Sequence, residues 1–262
     1  MGEALRIAQA FVAARREARG LPDYPGTAPE TLAQAYAIQR NAIALWGEPV
    51  AGWKVGRINA PLDTILGANR LAGPIFPSAI VDASPAPVMP VFAEGFAAAE
   101  AEFLLRVGTA PDPAKTHYTL DEAAALIDAV HVGFEIASSP YPGINTGGPT
   151  VTVSDFGNNF GLVVGPEVAG WRDQSFLQWP ISLSIDGVEA GNAKAADMLD
   201  GPFGAAAFLF ALAATQELDL RPGQWISSGA VTGVHEIRVG QSSVARFGSD
   251  YEIACSISAA TA

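Results

Sequence analysis

The chain has 262 residues, 49% of them hydrophobic and only 16% charged, a balance that suits a large packed core and excludes a disordered protein. Its net charge of −12 argues against a duplex-DNA or anionic-membrane surface, since both are held through Lys and Arg contacts. The single cysteine, Cys255, excludes an internal disulfide and a Cys-based zinc site; its apolar setting, YEIACSISA, marks a buried structural thiol.

The first 19 residues, MGEALRIAQAFVAARREAR, place Leu5, Ala8, Phe11 and Val12 on one helical stripe among Glu3, Arg6 and Arg15–Arg16. That mixture is unlike the apolar centre of a signal peptide. A second helix carries Leu32, Tyr36, Ile43 and Trp46 on its stripe, and Thr31 with Gln34 makes a capping box at its start. Between them, GLPDYPGTAPE is a loop. Residues 1–48 thus form a helical N-terminal segment, and 49–262 a β-rich body that makes one structural unit with it. Strand-like runs fall at 51–57, 96–107, 131–137, 160–164, 181–185, 225–228, 235–239 and 251–257. Asp186-Gly187 joins ISLSI to VEAGN as a hairpin. Helices are predicted at 120–130, capped by Thr119 and Glu122, and at about 203–216, ending before ELDLRPG. The longest apolar run, at 205–214, is half a membrane span and reads as a buried helix. The pattern is α+β, and a soluble, cytoplasmic protein is expected.

Within the run FAAAEAEFLL at 96–105, Glu100 and Glu102 share one strand face. Held about 7 Å apart, two carboxylates repel by roughly 2 kcal/mol at an effective dielectric near 20. Either the face is wet or the pair forms a site. A third lone carboxylate, Glu135 in HVGFEIA, shifts the balance towards a site. Three converging carboxylates raise one another's pKa values, and a hard divalent cation removes that cost. With no Cys cluster or paired-His motif, oxygen-ligated Mg2+ or Mn2+ is the expected metal. Lys54 in GWKVG is flanked by glycines that leave room for a ligand, although a surface lysine on an edge strand also fits. His117, His131 and His235 show no ligand spacing, and GINTGGPT lacks the ending of a phosphate loop and reads as a mobile loop.

Taken in order, TLAQAYAIQ, AGWKVGRIN, AEAEFLLRVG, HVGFEIASS, DFGNNFGLVVG, DGPFGAAAFLFALA, GQWISSGAVTG and RVGQSSVARFG resemble the 2-keto-4-pentenoate hydratase family of the fumarylacetoacetate-hydrolase superfamily. The resemblance covers nearly the whole chain. It implies a β-rich fumarylacetoacetate-hydrolase-like roll, usually oligomeric, here a homo-oligomer. It implies Mg2+ or Mn2+ on Glu100, Glu102 and Glu135, with Lys54 as the acid/base or enolate-stabilising group once desolvation brings its pKa towards neutrality. It places Ser78 where the family usually has an acidic catalytic residue, and puts Asn158, Asn159 and Thr232 at substrate positions. Asn158 and Asn159 replace two serines of the usual pattern, and Ser138-Ser139 follows the third glutamate where Asp-Ser is usual. The chain is thus a divergent member in this reading. The implied activity is a hydratase adding water to a small 2-hydroxydienoate or 2-oxo acid from aromatic-ring catabolism. Decarboxylation, C–C hydrolysis or tautomerisation at the same site is the alternative that Ser78 motivates, and a non-catalytic binding subunit is a third.

Overall fold

The computed structural model describes residues 2–216 and 218–262. In chain order the elements are α1 (Glu3–Arg16), α2 (Leu32–Trp46), β1 (Gly52–Arg57), α3 (Leu62–Leu66), β2 (Arg70–Ile75), β3 (Ile80–Asp82), β4 (Val88–Val91) and β5 (Phe96–Val107). There follow α4 (Leu120–Ala125), β6 (Ile127–Ser139), α5 (Pro149–Ser154), β7 (Asn159–Glu167), β8 (Ile181–Ile185) and β9 (Val188–Ala193). The last are α6 (Gly201–Gln216), β10 (Trp225–Ser227), β11 (His235–Glu236), β12 (Ser242–Phe247) and β13 (Tyr251–Ala259). Glu217, the first residue of ELDLRPG, lies outside the described residues, so the last helix is followed only to Gln216.

The strands form two sheets. One has eight strands in the order β2-β1-β10-β5-β6-β7-β3, with β11 also on β5; the other has five, β4-β13-β12-β8-β9. The alternation along β5 decides how they pack. Ala99, Ala101, Phe103 and Leu105 enter the main core with Phe134 and Ile136 of β6. They meet Leu183, Phe247 and Ile253 of the second sheet, and Phe103 stacks edge-on against Phe247 at 5.4 Å. Helix α6, apolar all round, is buried in the same core through Phe203, Leu209 and Phe210. The opposite face of β5 carries Glu100, Glu102 and Leu104.

Both capping boxes form as read, at Thr31 with Gln34 and at Thr119 with Glu122. Asp186 and Gly187 both take positive φ (49° and 78°), the two-residue turn that matches strand twist. The predicted 120–130 helix is corrected: α4 stops at Ala125, and β6 starts at Ile127, four residues before His131. Ile127, Val130 and Val132 are β-branched, and pairing with β5 out to Val107 outweighs their helical context. The stretch GINTGGPT is a hydrogen-bonded turn whose Pro149 opens α5. Helix α2 docks on β2, with Gln39 Nε2 donating to the Ala72 and Val153 carbonyls and Tyr36 accepting from the Ala72 N–H.

Candidate metal centre

Strands β5 and β6 pair with Glu100 directly opposite Glu135, so both glutamates emerge on one face, with Glu102 two residues along. Oxygens of the three carboxylates lie within 4.8 Å of one another, and the residues are 4%, 0% and 0% exposed. The face is therefore not wet. Among the described residues this is the one cluster of three or more His, Cys, Asp or Glu side chains able to share an ion. Glu102 Oε2 accepts hydrogen bonds from Ser227 Oγ and, at 3.0 Å, from the Gly229 N–H. Asn159 Nδ2 donates to Glu135 Oε1 at 3.0 Å. Glu102 Oε1 is buried without a hydrogen-bond partner.

Lys54 is buried (5% exposed), on a strand between β2 and β10 rather than at an edge. Its Nζ lies 3.3 Å from Glu135 Oε2 and donates to Asn158 Oδ1 at 3.1 Å. Burial pushes the ammonium down, but Glu135, Glu100 and Glu102 together outweigh it and hold Lys54 above its ordinary value. In the metal-free protein, therefore, desolvation alone does not bring Lys54 towards neutrality. Burial pushes the Glu100 carboxyl up to about 7, with Lys54 drawing it down and Glu135 pushing it further up. Glu102 is raised well above the ordinary carboxylate range by burial, then by Glu135 and Glu100.

Of the two glycines flanking Lys54, Gly56 lines the cavity, and a Cβ there would stand 3.9 Å from Lys54 Cε. A Cβ on Gly52 would meet the Trp225 carbonyl at 2.6 Å, so that glycine admits β10 and not a ligand. Gly73, the cross-strand partner of Lys54, lets the 155–158 turn lie on β2; a Cβ there would sit 2.1 Å from the Phe156 carbonyl oxygen. That turn delivers Asn158 to Lys54 and Asn159 to Glu135. It is fixed from behind by Arg15 of α1, whose Nε and Nη2 donate to Asp155 Oδ1 and Oδ2 at 2.6 and 2.9 Å. The same guanidinium donates to the Asn159 and Ser138 carbonyls and lies over the rings of Phe92, Phe156 and Phe160.

A cavity of about 700 Å³ opens in front of the cluster, lined by Lys54, Glu100, Asn145, Asn158, Ser228 and Thr232 among others. Glu102, Glu135 and Asn159 lie behind its wall, so Asn159 steadies a carboxylate and does not line the cavity. Thr232 lines it, and its backbone and side-chain oxygens contact His235 Nε2. Ser78 is not brought to the site. It sits on an exposed turn, donating to Glu48 Oε1 at 2.8 Å. Sequence reasoning passed over Ser227, Ser228 and Gly229 in SSGAVTG, Asn145 in GINTG, and the Arg15–Asp155 pair. The one available signal was a small polar cluster next to a strand, WISSG.

The residues fit a hard divalent cation. Three carboxylates face a single ammonium, and one buried oxygen, Glu102 Oε1, has no donor. The two-sheet architecture is the fumarylacetoacetate-hydrolase-like fold. No protein-family model and no curated protein matches the sequence significantly. Among solved structures, the chain is similar to 4-oxalocrotonate decarboxylase from Pseudomonas putida G7 in complex with magnesium and adipate (TM-score 0.77, 20% identity, 97% of each chain). It is also similar to fumarylpyruvate hydrolase from Pseudomonas aeruginosa in complex with Mn2+ and pyruvate (TM-score 0.54, 16% identity, 81% of this chain and 91% of that one). A third similar structure is 2-hydroxyhepta-2,4-diene-1,7-dioate isomerase from Mycobacterium marinum (TM-score 0.56, 17% identity, 80% and 76%).

Proposed function

We propose that the protein is a divalent-metal-dependent lyase acting on a small 2-oxo or 2-hydroxydienoate acid. Glu100, Glu102 and Glu135 hold Mg2+ or Mn2+. The observation that carries the reading is the buried carboxylate cluster, in which Glu102 Oε1 has no donor, beside a cavity lined by Glu100 and a buried lysine. Magnesium and manganese in similar structures support the choice of ion. When bound, such a cation supplies Lewis acidity to the carboxylate and 2-oxygen of the acid.

The chain's own residues supply the rest. Lys54 is anchored by Asn158 and Glu135 and borders the cavity, so its ammonium stabilises negative charge developing on a substrate oxygen. Bordering the cavity, the ammonium is also placed to donate a proton to the substrate. Ser227, Gly229 and Asn159 hold two of the three carboxylates in place. Addition of water to a 2-hydroxydienoate is the first reading. Decarboxylation is the second, favoured because Ser78 lies off the site and the cavity wall offers carboxylates only from Glu100 and Asp197. Loss of CO2 needs no base to activate water.

Titrating Mg2+ into chelator-treated protein should give one binding event per chain, abolished by Glu102→Ala. Absence of binding, or binding unchanged by the substitution, overturns the proposal. Incubation with 2-hydroxypentadienoate and with 4-oxalocrotonate, followed by dienol absorbance and CO2 release, separates the two reactions.

A further inference from the structure

Three side chains in the cavity wall form one run of hydrogen bonds whose direction is set at its buried end. The Lys54 ammonium carries three donors and no acceptor. It meets Glu135 Oε2 at 3.3 Å and donates to Asn158 Oδ1 at 3.1 Å. Asn158 must therefore turn its NH2 group away, and its Nδ2 donates to Asn145 Oδ1 at 2.9 Å. With its oxygen engaged there, Asn145 has its Nδ2 left over, without a hydrogen-bond partner among the described residues. Reversing either amide would set donor against donor or oxygen against oxygen. The run also leads outwards. Glu135 is fully buried, Lys54 and Asn158 are nearly so, and Asn145 is exposed; all but Glu135 line the cavity.

The backbone holds both amides in place. Phe156, Gly157 and Asn158 follow one another at φ of 54°, 62° and 60°, in the left-handed region. That region disfavours Phe but suits asparagine, and such a succession persists only where its surroundings impose it. The close approach at Gly73 and the Arg15 guanidinium impose it here. On the other side of the pair, Ile144 is fully buried and its carbonyl accepts from Thr152 Oγ1 at 3.1 Å, which fixes the turn carrying Asn145. Resting on the metal-centre reading above, we infer that Asn145 is a specificity-determining residue, whose Nδ2 donates to an oxygen that the acid carries beyond C2. The carboxylate and 2-oxygen of the acid are held at the buried end, so the rest of its chain lies along the wall towards Asn145. The Lys54 charge, passed on through Asn158, makes this wall offer a donor there and not an acceptor.

The test compares 2-oxopentanoate with 4-hydroxy-2-oxopentanoate by calorimetry on Mg2+-loaded protein. Both are monoanions, so they differ only in the hydroxyl. The hydroxy acid should bind about fivefold more tightly, the gain expected of one neutral hydrogen bond. Asn145→Ala should erase that preference, while affinity for Mg2+ and for 2-oxopentanoate stays within about twofold of wild type. Asn145 is exposed on its turn, so the variant leaves the fold intact. Equal binding of the two acids by Mg2+-loaded wild type overturns this inference and leaves the metal centre standing. An equal loss for both acids in Asn145→Ala does the same, since Asn145 would then act only by steadying Asn158 and Lys54. Failure to bind Mg2+ at all overturns the metal-centre reading, and this inference with it.

Discussion

At the scale of single residues, the site is a problem of unbalanced charge. Glu100 and Glu102 hold their protons more tightly in the folded protein than in the unfolded chain, the first up to about 7. Groups raised in this way contribute most stability below their unfolded pKa, and that contribution is lost as pH rises through the folded one. Metal-free protein should therefore lose melting temperature as pH rises from about 4.3, the unfolded carboxyl value, through about 7, the folded value of Glu100. Mg2+ should suppress the loss, because it takes the place of the protons. Thermal melts with and without EDTA across that range check this; parallel curves would contradict it. The three glutamates and Lys54 were legible in the sequence because a charged side chain inside an apolar strand stands out. Ser227 was not, because a serine beside a strand looks the same whether it faces water or a carboxylate. Ser78 misled, since matching a segment to a family pattern locates a backbone position and says nothing of where its side chain goes.

At the scale of elements, α1 does more than cover the sheet. Arg15 ties it to Asp155, and the turn from Asp155 to Asn159 holds Lys54 and Glu135. The pair is almost fully buried, so removing one partner strands a charge, at a cost of about 3–5 kcal/mol. Arg15→Ala should lower the unfolding free energy by that order in a urea titration, whereas Arg15→Lys, which keeps the charge but loses the fork, should lose less. The apolar stripe of α1 was readable from its spacing. Arg15, next to Arg16 in a run of charges, carried no mark of burial, since only the distant Asp155 makes it possible. Short strands were the other blind spot: β2, β3 and β4 hold three to six residues each, and β2 includes Gly73 and Pro74, which sequence patterns count against strands.

At the scale of the whole molecule, the helical segment and the sheets share their packing. Phe76 and Phe156 sit in one apolar cluster with Ile7, Phe11 and Ile38, and Arg15 joins the same region. Helical ellipticity and tryptophan fluorescence should therefore melt in one coincident transition. Two separated midpoints would show that residues 1–48 fold on their own. The class of fold could be read from the run of motifs, but the order of strands could not, because periodicity reports which residues are strands and not which strands are neighbours. That order has a consequence for how the chain is made. β10, residues 225–227, fills the slot between β1 and β5, which are themselves complete more than a hundred residues earlier. During synthesis from the N-terminus, both strands must wait with one edge open until β10 leaves the ribosome. Ser227 and Gly229, the donors to Glu102, arrive with it. The open edges of β1 and β5 and the unsupported Glu102 are thus completed by the same late segment.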